Sequence, residues 1–410
     1  NNNTATANNG GAIYLDAGTG NITGGTITGN KAVNDCGGGI FVNISSKLNI
    51  KGGTISSNSA KWGGGVFNQY GGNTNMTGGV ITQNYASDRG GGLFNKSSGT
   101  TKGIISLTGG TISANTSTNT GSGVVVQSTT NVGGAVNIKS DNNVALFDGN
   151  YLNITSALTG STPILVVPNS YSSGSKIAEV AYGTKLGSLM FSRFDLVDAN
   201  GFIIRPGDYV NAASGVKATD IVVSSKYTVH YDKNTTETVT NIPAAGTKYW
   251  YEGYTIPSAQ PAWMYRRFKG WNEDKTVSTG TYQASGNIDA AVNKNLVLYA
   301  IWDSTVAVKY TGNKADSGTE KSENVTYETA AANGGYGIRS NAGYANFARK
   351  DYKFVGWSSI SSTLPSKTEY SENGGDKISY EDIYGLITKQ GTAGEHPPFM
   401  TLYAVWDKIP

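Results

Sequence analysis

Aliphatic residues recur through residues 1–130 at fixed places behind pairs or triplets of glycine. One glycine phrase begins at residues 10, 37, 63, 90 and 121, so successive copies start 26 to 31 residues apart. A second phrase alternates with it and begins at residues 24, 52, 78 and 109. Glycine and β-branched residues dominate these units, and no apolar spacing of 3 to 4 residues persists. The pattern therefore predicts a repeated unit of short strands and excludes helical repeats.

The length of the unit indicates which β repeat it is. Three strands of about 5 residues with turns of a few residues occupy roughly one such period, which is one coil of a parallel β-helix. A propeller blade has a longer period. Stacked coils place equivalent residues about 4.8 Å apart. Three predicted columns of like side chains are Ile27, Ile55, Ile81 and Ile112; Ile13, Ile40, Val66, Leu93 and Val124; and Tyr14, Phe41, Phe67 and Phe94. At least two of these columns are expected to fill the interior.

An asparagine follows each copy of the second glycine phrase at the same distance. The four positions are Asn30, Asn58, Asn84 and Asn115. Asparagine tolerates turn geometry and bonds to nearby backbone, and stacked amides can bond to one another along an axis. We expect these residues to form an asparagine ladder.

The repeats loosen after residue 130, while β-rich stretches continue to about residue 225. A solenoid needs an atypical end that covers its last coil, so we assign residues 1–225 to a β-helix with irregular final coils and a cap. About eight coils are expected, which gives a rod of roughly 40 Å at the usual strand spacing.

Two related segments follow, with less glycine and more tyrosine and tryptophan. Each contains the pattern Phe-x-Gly-Trp, at residues 268–271 and 354–357, and later Leu-Tyr-Ala-x-Trp-Asp, at residues 298–303 and 402–407. These motifs resemble the internalin-type B-repeats of bacterial surface proteins, and the resemblance implies a small β-grasp-like fold for each segment. The expected domains are therefore 1–225, 226–303 and 304–410, an all-β rod followed by two α+β modules.

The glycine repeats and their asparagines resemble those of polymorphic bacterial surface proteins and adhesin-like right-handed β-helices. Together with the B-repeats, this resemblance implies an extracellular protein of the bacterial cell surface or wall. The chain begins in what reads as the tail of a coil, so we expect a monomeric fragment of a larger protein, whose export signal and anchor lie elsewhere. A glycan or a surface protein is the expected partner.

Charge and composition narrow the function classes. The formal net charge is +3 among 410 residues, with no basic patch that indicates nucleic-acid binding. No run of 18 or more apolar residues is present, so the chain is not expected to be embedded in a membrane. The single cysteine, Cys36, excludes an internal disulfide.

One turn row carries the candidate chemistry. Directly before the glycine triplets, Asp35, Lys61 and Asp88 fall in one column, and Trp62 and Arg89 fall in the next. Stacking is expected to bring the three charged residues within reach of one another, most simply as an alternating salt-bridge row that stabilises the turns weakly. Ligand binding is the alternative, with Trp62 as a platform on which a sugar stacks. We call Asp35, Lys61, Trp62, Asp88 and Arg89 the charged row.

Catalysis and metal binding lack their usual residues. Residues 1–225 contain one glutamate, Glu179, nine scattered aspartates and no histidine, although β-helix lyases and hydrolases need paired carboxylates. The two histidines, His230 and His396, lie in different modules, so no metal site, catalytic residue or cofactor is predicted.

Three functions remain open at this point. The first is a non-enzymatic adhesin segment, in which the β-helix presents a binding or spacer surface and the B-repeats act as a stalk or secondary contact modules. The second is a carbohydrate-active or polysaccharide-binding β-helix, with Asp35, Lys61, Asp88 and Arg89 as its working residues. The third is a purely architectural, self-associating spacer.

Overall fold

The computed structural model describes residues 1–410 except 8, 182–189, 200, 211, 265, 361–367 and 396. The chain is mostly β structure, with 47% strand and 8% helix. It divides into two compact units. Unit 1 consists of Asn1–Thr228, Thr247–Tyr254 and Ile288–Asn295, and unit 2 consists of Val229–Gly246, Thr255–Asn287 and Leu296–Pro410.

Unit 1 contains a parallel β-solenoid of about 7 turns, so the predicted β-helix is confirmed, close to the predicted length of about eight coils. The final coils lack the glycine phrases of the earlier ones, as their sequence indicated. Three parallel sheets run along the solenoid.

The first sheet consists of Thr4–Ala5, Lys31–Ala32, Ser59–Trp62, Tyr85–Arg89 and Thr116–Ser117. The second sheet consists of Ile13–Leu15, Ile40–Val42, Val66–Asn68, Leu93–Asn95, Val124–Val126, Asn143–Leu146, Ile164–Val167 and Phe194–Leu196. The third sheet contains Thr19–Ile22, Lys47–Ile50, Asn73–Thr82, Ile104–Ser113, Thr129–Gly134, Leu152–Leu158 and Lys176–Val180, with the short strands Thr26–Thr28, Thr54–Ser56 and Asn137–Ile138 beside them. A small hairpin joins Ser97–Ser98 to Thr101–Lys102.

The register of these sheets confirms the two predicted aliphatic columns. Ile81 pairs with Ile55 on one side and with Ile112 on the other, and Val66 lies between Ile40 and Leu93. Both columns belong to one continuous apolar core inside the solenoid. Removing such side chains from water stabilises the fold by about 1.5–3 kcal/mol each. Each further coil therefore adds a similar amount of stabilisation from its buried aliphatic side chains.

The predicted asparagine ladder is also confirmed, and it extends to Asn142. At each step the side-chain amide donates to the Oδ1 atom of the next asparagine, over 2.8 to 3.0 Å. These asparagines are at most 1% exposed. We call Asn30, Asn58, Asn84, Asn115 and Asn142 the inner ladder. Buried amides are stable here because their donors and acceptors find partners within the stack.

The parallel arrangement ends at antiparallel strands. Asp220–Asp232 runs antiparallel to Lys176–Val180 and also pairs with Phe202–Pro206. Ile221 and Val223 from this strand belong to the solenoid core and are fully buried. These antiparallel strands lie where the cap is expected, together with 3-10 turns at Phe191–Arg193, Gly207–Tyr209 and Ala212–Ser214. The assignment of residues 1–225 to one capped domain stays a prediction.

Unit 2 contains two strand arrangements that repeat each other. In the first, called the first module, Val229 pairs in parallel with Leu296, and Arg267–Asn272 runs antiparallel to Leu296–Asp303. In the second module, Val306–Thr311 pairs in parallel with Phe399–Lys408, which is antiparallel to Tyr352–Ser358. The predicted boundaries 226–303 and 304–410 remain a prediction.

The aromatic motifs occupy equivalent places in the two modules. Phe268 lies 5.1 Å from Trp271, and Phe354 lies 5.0 Å from Trp357, measured between ring centroids. The indole of Trp302 donates to the Lys233 carbonyl and that of Trp406 to the Gly312 carbonyl, two residues after a tyrosine in each case. The shared motifs thus build the same aromatic cluster twice.

The second module has elements that the described part of the first lacks. Two α-helices, Tyr327–Ala332 and Tyr380–Gln390, and an irregular turn at Asn341–Ala345 belong to it. Its further strands are Lys321–Val325, Tyr336–Gly337, Tyr370–Ser371 and Lys377–Ile378. The remaining strands of the chain are Gly246–Tyr249, Tyr254–Thr255 and Asn287–Ile288. Ile383 and Ile387 anchor the longer helix in the core of the second module.

Candidate functional site

The charged row lies where the strands of the first sheet end. There each coil turns sharply through its glycines into the second sheet. Gly63 has a φ of +64°, which favours glycine, and a Cβ on Gly64 would lie 2.3 Å from the Tyr85 carbonyl oxygen. The glycine triplets are therefore required for the turn itself, and they bring Trp62 back towards the outside of the second sheet.

A stack of aromatic rings lies on that outer face. The ring centroids of Tyr14, Phe41, Phe67 and Phe94 follow one another at 5.0, 5.4 and 5.3 Å. The predicted aromatic column is thus real, but it belongs to a second apolar cluster separate from the solenoid core. Phe67 is only 1% exposed. Trp62 and Phe147 pack against the cluster and help to exclude water from it.

Asp88 connects three coils. Its Oδ2 accepts a hydrogen bond from the indole of Trp62 over 2.8 Å, and its Oδ1 accepts one from the Asn119 amide over 2.6 Å. Arg89 forms an ion pair with the same carboxylate at 3.3 Å. Both oxygens are therefore held by neighbours from the protein itself.

Contacts in and beside the charged row shift the pKa values of Asp88 and Cys36. Partial burial alone would raise the pKa of Asp88, but hydrogen bonds from Asn119 and Trp62 and the charge of Arg89 outweigh it and hold that pKa below its ordinary value. Burial, together with the adjacent Asp35 carboxylate, raises the pKa of the Cys36 thiol to about 12. Neither group fits the protonation that a general acid or a thiolate nucleophile requires near neutral pH.

The remaining members of the charged row do not form the expected alternating ion pairs. The Lys61 ammonium lies 4.3 Å from the centroid of the Trp62 ring, and within the described part of the chain no ion pair joins it to Asp35 or Asp88. The Asp35 carboxylate accepts from the backbone N–H of Cys36 in its own coil. The backbone N–H of Lys61 does donate to the Asp35 carbonyl oxygen over 2.8 Å, so these residues lie in adjacent coils as expected, but their side chains have other partners. Arg89 lies 4.8 Å from the Phe147 ring.

The structure therefore places the charged row over the outer aromatic cluster. It joins Trp62, Asp88 and Arg89 through their side chains, and it joins Asp35 to Lys61 through a backbone hydrogen bond. Lys61 covers part of the ring on which a sugar was expected to stack. Whether this row binds a ligand stays a prediction, and the contacts themselves account for a structural role.

A second polar row was missed by the reasoning from sequence. Asn21, Asn49, Asn75, Ser106 and Asn131 pair in successive coils of the third sheet. We call these residues the outer amide row. The neighbours Leu48, Ile50 and Met76 point into the core, so strand alternation directs the amides outwards. The signal was available, since these asparagines keep the period of the glycine phrases.

The side chains of the outer amide row use only part of their hydrogen-bonding capacity within the row. Asn49 donates to the Oδ1 of Asn21 over 2.9 Å, and Asn75 donates to that of Asn49 over 3.2 Å. Each amide has two N–H groups and two acceptor lone pairs, so Asn21, Asn49 and Asn75 each keep at least one of both, while Asn131 donates to the Ser106 hydroxyl over 3.2 Å. Lys47, Lys51 and Thr77 flank the row and are exposed.

Within the described residues, no group of three or more histidine, cysteine, aspartate and glutamate side chains is placed to hold a metal ion. His396 lies outside those residues. None of the helices in the described ranges is long and apolar enough to cross a membrane. No family model, no curated protein and no solved structure matches the chain.

Proposed function

We propose that this chain is a non-enzymatic segment of a bacterial cell-surface adhesin, in which a right-handed solenoid presents an extended binding face and two β-grasp-like B-repeats act as a stalk. The observation that carries the proposal is the outer amide row. Asn21, Asn49 and Asn75 each keep at least one N–H and one acceptor lone pair, about 4.8 Å apart along the solenoid axis, and Ser106 and Asn131 continue the row. This regular, open arrangement suits an extended polymer with repeated hydroxyl groups, and we propose a polysaccharide as the partner.

The hydrogen bonds and the ion pair of the Asp88 carboxylate favour a binding function over catalysis. A glycoside hydrolase or lyase needs carboxylates that can take and release protons at the substrate. Here the most connected carboxylate of the charged row is occupied by Trp62, Asn119 and Arg89. We therefore rank the carbohydrate-active alternative second.

The stalk role is supported by the contacts between the two modules of unit 2. The Arg266 guanidinium lies 4.2 Å from the Trp263 ring centroid and 4.6 Å from that of Tyr327. It also forms an ion pair with Glu328, whose other oxygen accepts from Ser304 over 2.7 Å. A guanidinium held between two aromatic rings and a carboxylate is fixed in position, and we infer a stiff junction suited to a spacer.

The proposal is tested by binding of the whole chain to an array of bacterial, plant and host polysaccharides. We expect saturable binding without release of oligosaccharide products. The double variant Asn49→Ala, Asn75→Ala should weaken that binding about tenfold or more, because it removes two donors and two acceptors from the face. Asn43→Ala is the matched control, since Asn43 donates to Asp16 on an exposed turn instead.

The outcomes separate the three functions. Product release that disappears in the Asp88→Ala variant would establish the enzyme and overturn the adhesin proposal. Failure of the chain to bind any polysaccharide, combined with concentration-dependent association in sedimentation velocity, would favour the architectural spacer.

A further inference from the structure

We infer that the second module contains a pocket for an acidic monosaccharide, formed by Arg339, Lys377, Tyr336 and Glu323. The cavity has a volume of about 400 Å³. That size lies within the usual range of about 300–1,000 Å³ for small-molecule sites. The pocket is separate from the outer amide row, so the inference does not depend on the proposed polysaccharide face.

The pocket is built mainly from elements that distinguish the two modules. Its walls are the edge strand Lys321–Val325, the helix Tyr327–Ala332 and the short strand Tyr336–Gly337. The described part of the first module contains no helix, although its aromatic cluster has the same geometry. Additional segments on a repeated scaffold are where binding sites commonly lie.

One wall is fixed by a hydrogen-bonded network. Tyr336 donates to Glu323 over 2.7 Å, its hydroxyl lies 3.0 Å from that of Tyr310, and Tyr310 accepts from the backbone N–H of Arg339 over 3.0 Å. Burial favours a neutral Glu323, but hydrogen bonds from Tyr336 and Arg339 outweigh it and hold the Glu323 pKa below its ordinary value. The carboxylate is therefore charged and already engaged, and it positions Arg339.

Arg339 belongs both to this network and to the lining of the cavity. Its Nε atom lies 3.0 Å from both oxygens of Glu323. Within the described residues Nη1 and Nη2 have no hydrogen-bond partner, and the side chain is 52% exposed. Two parallel N–H groups of this kind match the two oxygens of a carboxylate.

Lys377 adds a second cation to the lining, from the strand that pairs with Tyr336–Gly337. Its ammonium donates to the Asn333 carbonyl and retains two further N–H groups. With Glu323 balanced by Arg339, Lys377 leaves the pocket with a net positive charge. A carboxylate ligand is therefore favoured over a neutral or cationic one.

The rest of the lining favours a sugar acid. Asn324, Thr329 and Asn333 line the cavity. The Thr329 hydroxyl lies 2.8 Å from that of Thr326 and the Asn333 amide donates to the Thr329 carbonyl, but the donors and acceptors left over match the hydroxyl groups of a pyranose ring better than the apolar side chains of a peptide. The Tyr336 ring supplies an apolar wall. A uronic or sialic acid unites a carboxylate with several hydroxyls at the size the cavity accepts.

The test is titration calorimetry of the whole chain with glucuronic acid and with N-acetylneuraminic acid, with glucose as the neutral control. We expect saturable binding of at least one acid and none of glucose. Arg339→Lys should weaken binding about tenfold, because it keeps the charge and loses the paired N–H groups. Lys377→Met should also weaken it, with unfolding temperature monitored for both variants.

Arg267→Lys is the matched control, since Arg267 pairs with Asp303 in the first module, and it should leave the affinity unchanged. The inference is overturned if neither acid binds to the folded chain, if inorganic phosphate binds equally well, or if an acidic peptide binds and the sugar acids do not. The variant Asn49→Ala, Asn75→Ala should leave acid binding intact even if it abolishes polysaccharide binding.

Discussion

The inner ladder and the outer amide row contain the same side chain at the same coil spacing, yet their bonding differs. Asn84 accepts two hydrogen bonds from Asn58, donates to Asn115 and donates to the Ile55 carbonyl. Asn75 donates once, to Asn49. A buried amide must satisfy its groups within the protein, whereas water satisfies an exposed one. The comparison teaches that burial decides whether a stacked asparagine stabilises the solenoid or remains available to a ligand.

The largest loss of stability is expected from a substitution in the inner ladder. Asn84→Ala should lower the free energy of unfolding by about 3 kcal/mol or more, because it removes four hydrogen bonds and leaves buried groups of Asn58 and Ile55 without partners. Urea denaturation measures the change.

The ladder should also act as a unit. In a background that already contains Asn115→Ala, the cost of Asn84→Ala should be clearly smaller, since the two residues share hydrogen bonds. Additive costs would show that the asparagines contribute independently.

A smaller, pH-dependent loss of stability is expected when the half-buried Asp88 is replaced. Its pKa is lowered in the folded state, so its contribution to stability is present above the ordinary carboxyl pKa of about 4 and is lost as the pH falls below that value. Asp88→Asn should cost about 1 kcal/mol at pH 7. The difference from the unmodified chain should shrink as thermal unfolding is followed from pH 7 to about pH 3, and a difference that is constant over this range would contradict the assignment.

The smallest effect is expected on the outer amide row. Asn75→Ala should change the free energy of unfolding by less than about 0.5 kcal/mol, while weakening binding to the polysaccharide face. A destabilisation as large as that of Asn84→Ala would remove the distinction between the two rows.

The stacking of this solenoid could be predicted well, because the glycine phrases fix the alignment of the coils. Once aligned, Ile55, Ile81 and Asn84 have only one possible set of neighbours. The position of the aromatic side chains relative to the solenoid core was harder to predict. Phe67 follows Val66 on the same strand and must point away from it, but only the folded turn shows that Trp62 covers it.

The details of the charged row lay beyond sequence reasoning for another reason. Column alignment predicts that Lys61 lies near Asp35 and Asp88. It does not predict the contacts of the long side chains, because several partners offer similar interaction energies. Lys61 lies over Trp62, and Asp88 accepts from Trp62 and Asn119. The pocket around Arg339 was equally hidden, since its residues come from separate parts of the second module that no repeat aligns.

Cys36 gives the solenoid a built-in chemical reporter. Its thiol is 6% exposed and, with a pKa near 12, is almost entirely protonated at neutral pH. A maleimide or disulfide reagent can therefore react only when the turn around Cys36 opens. The labelling rate of the native chain thus reports how often the coil containing Cys36 separates from the coils beside it, without any engineered probe.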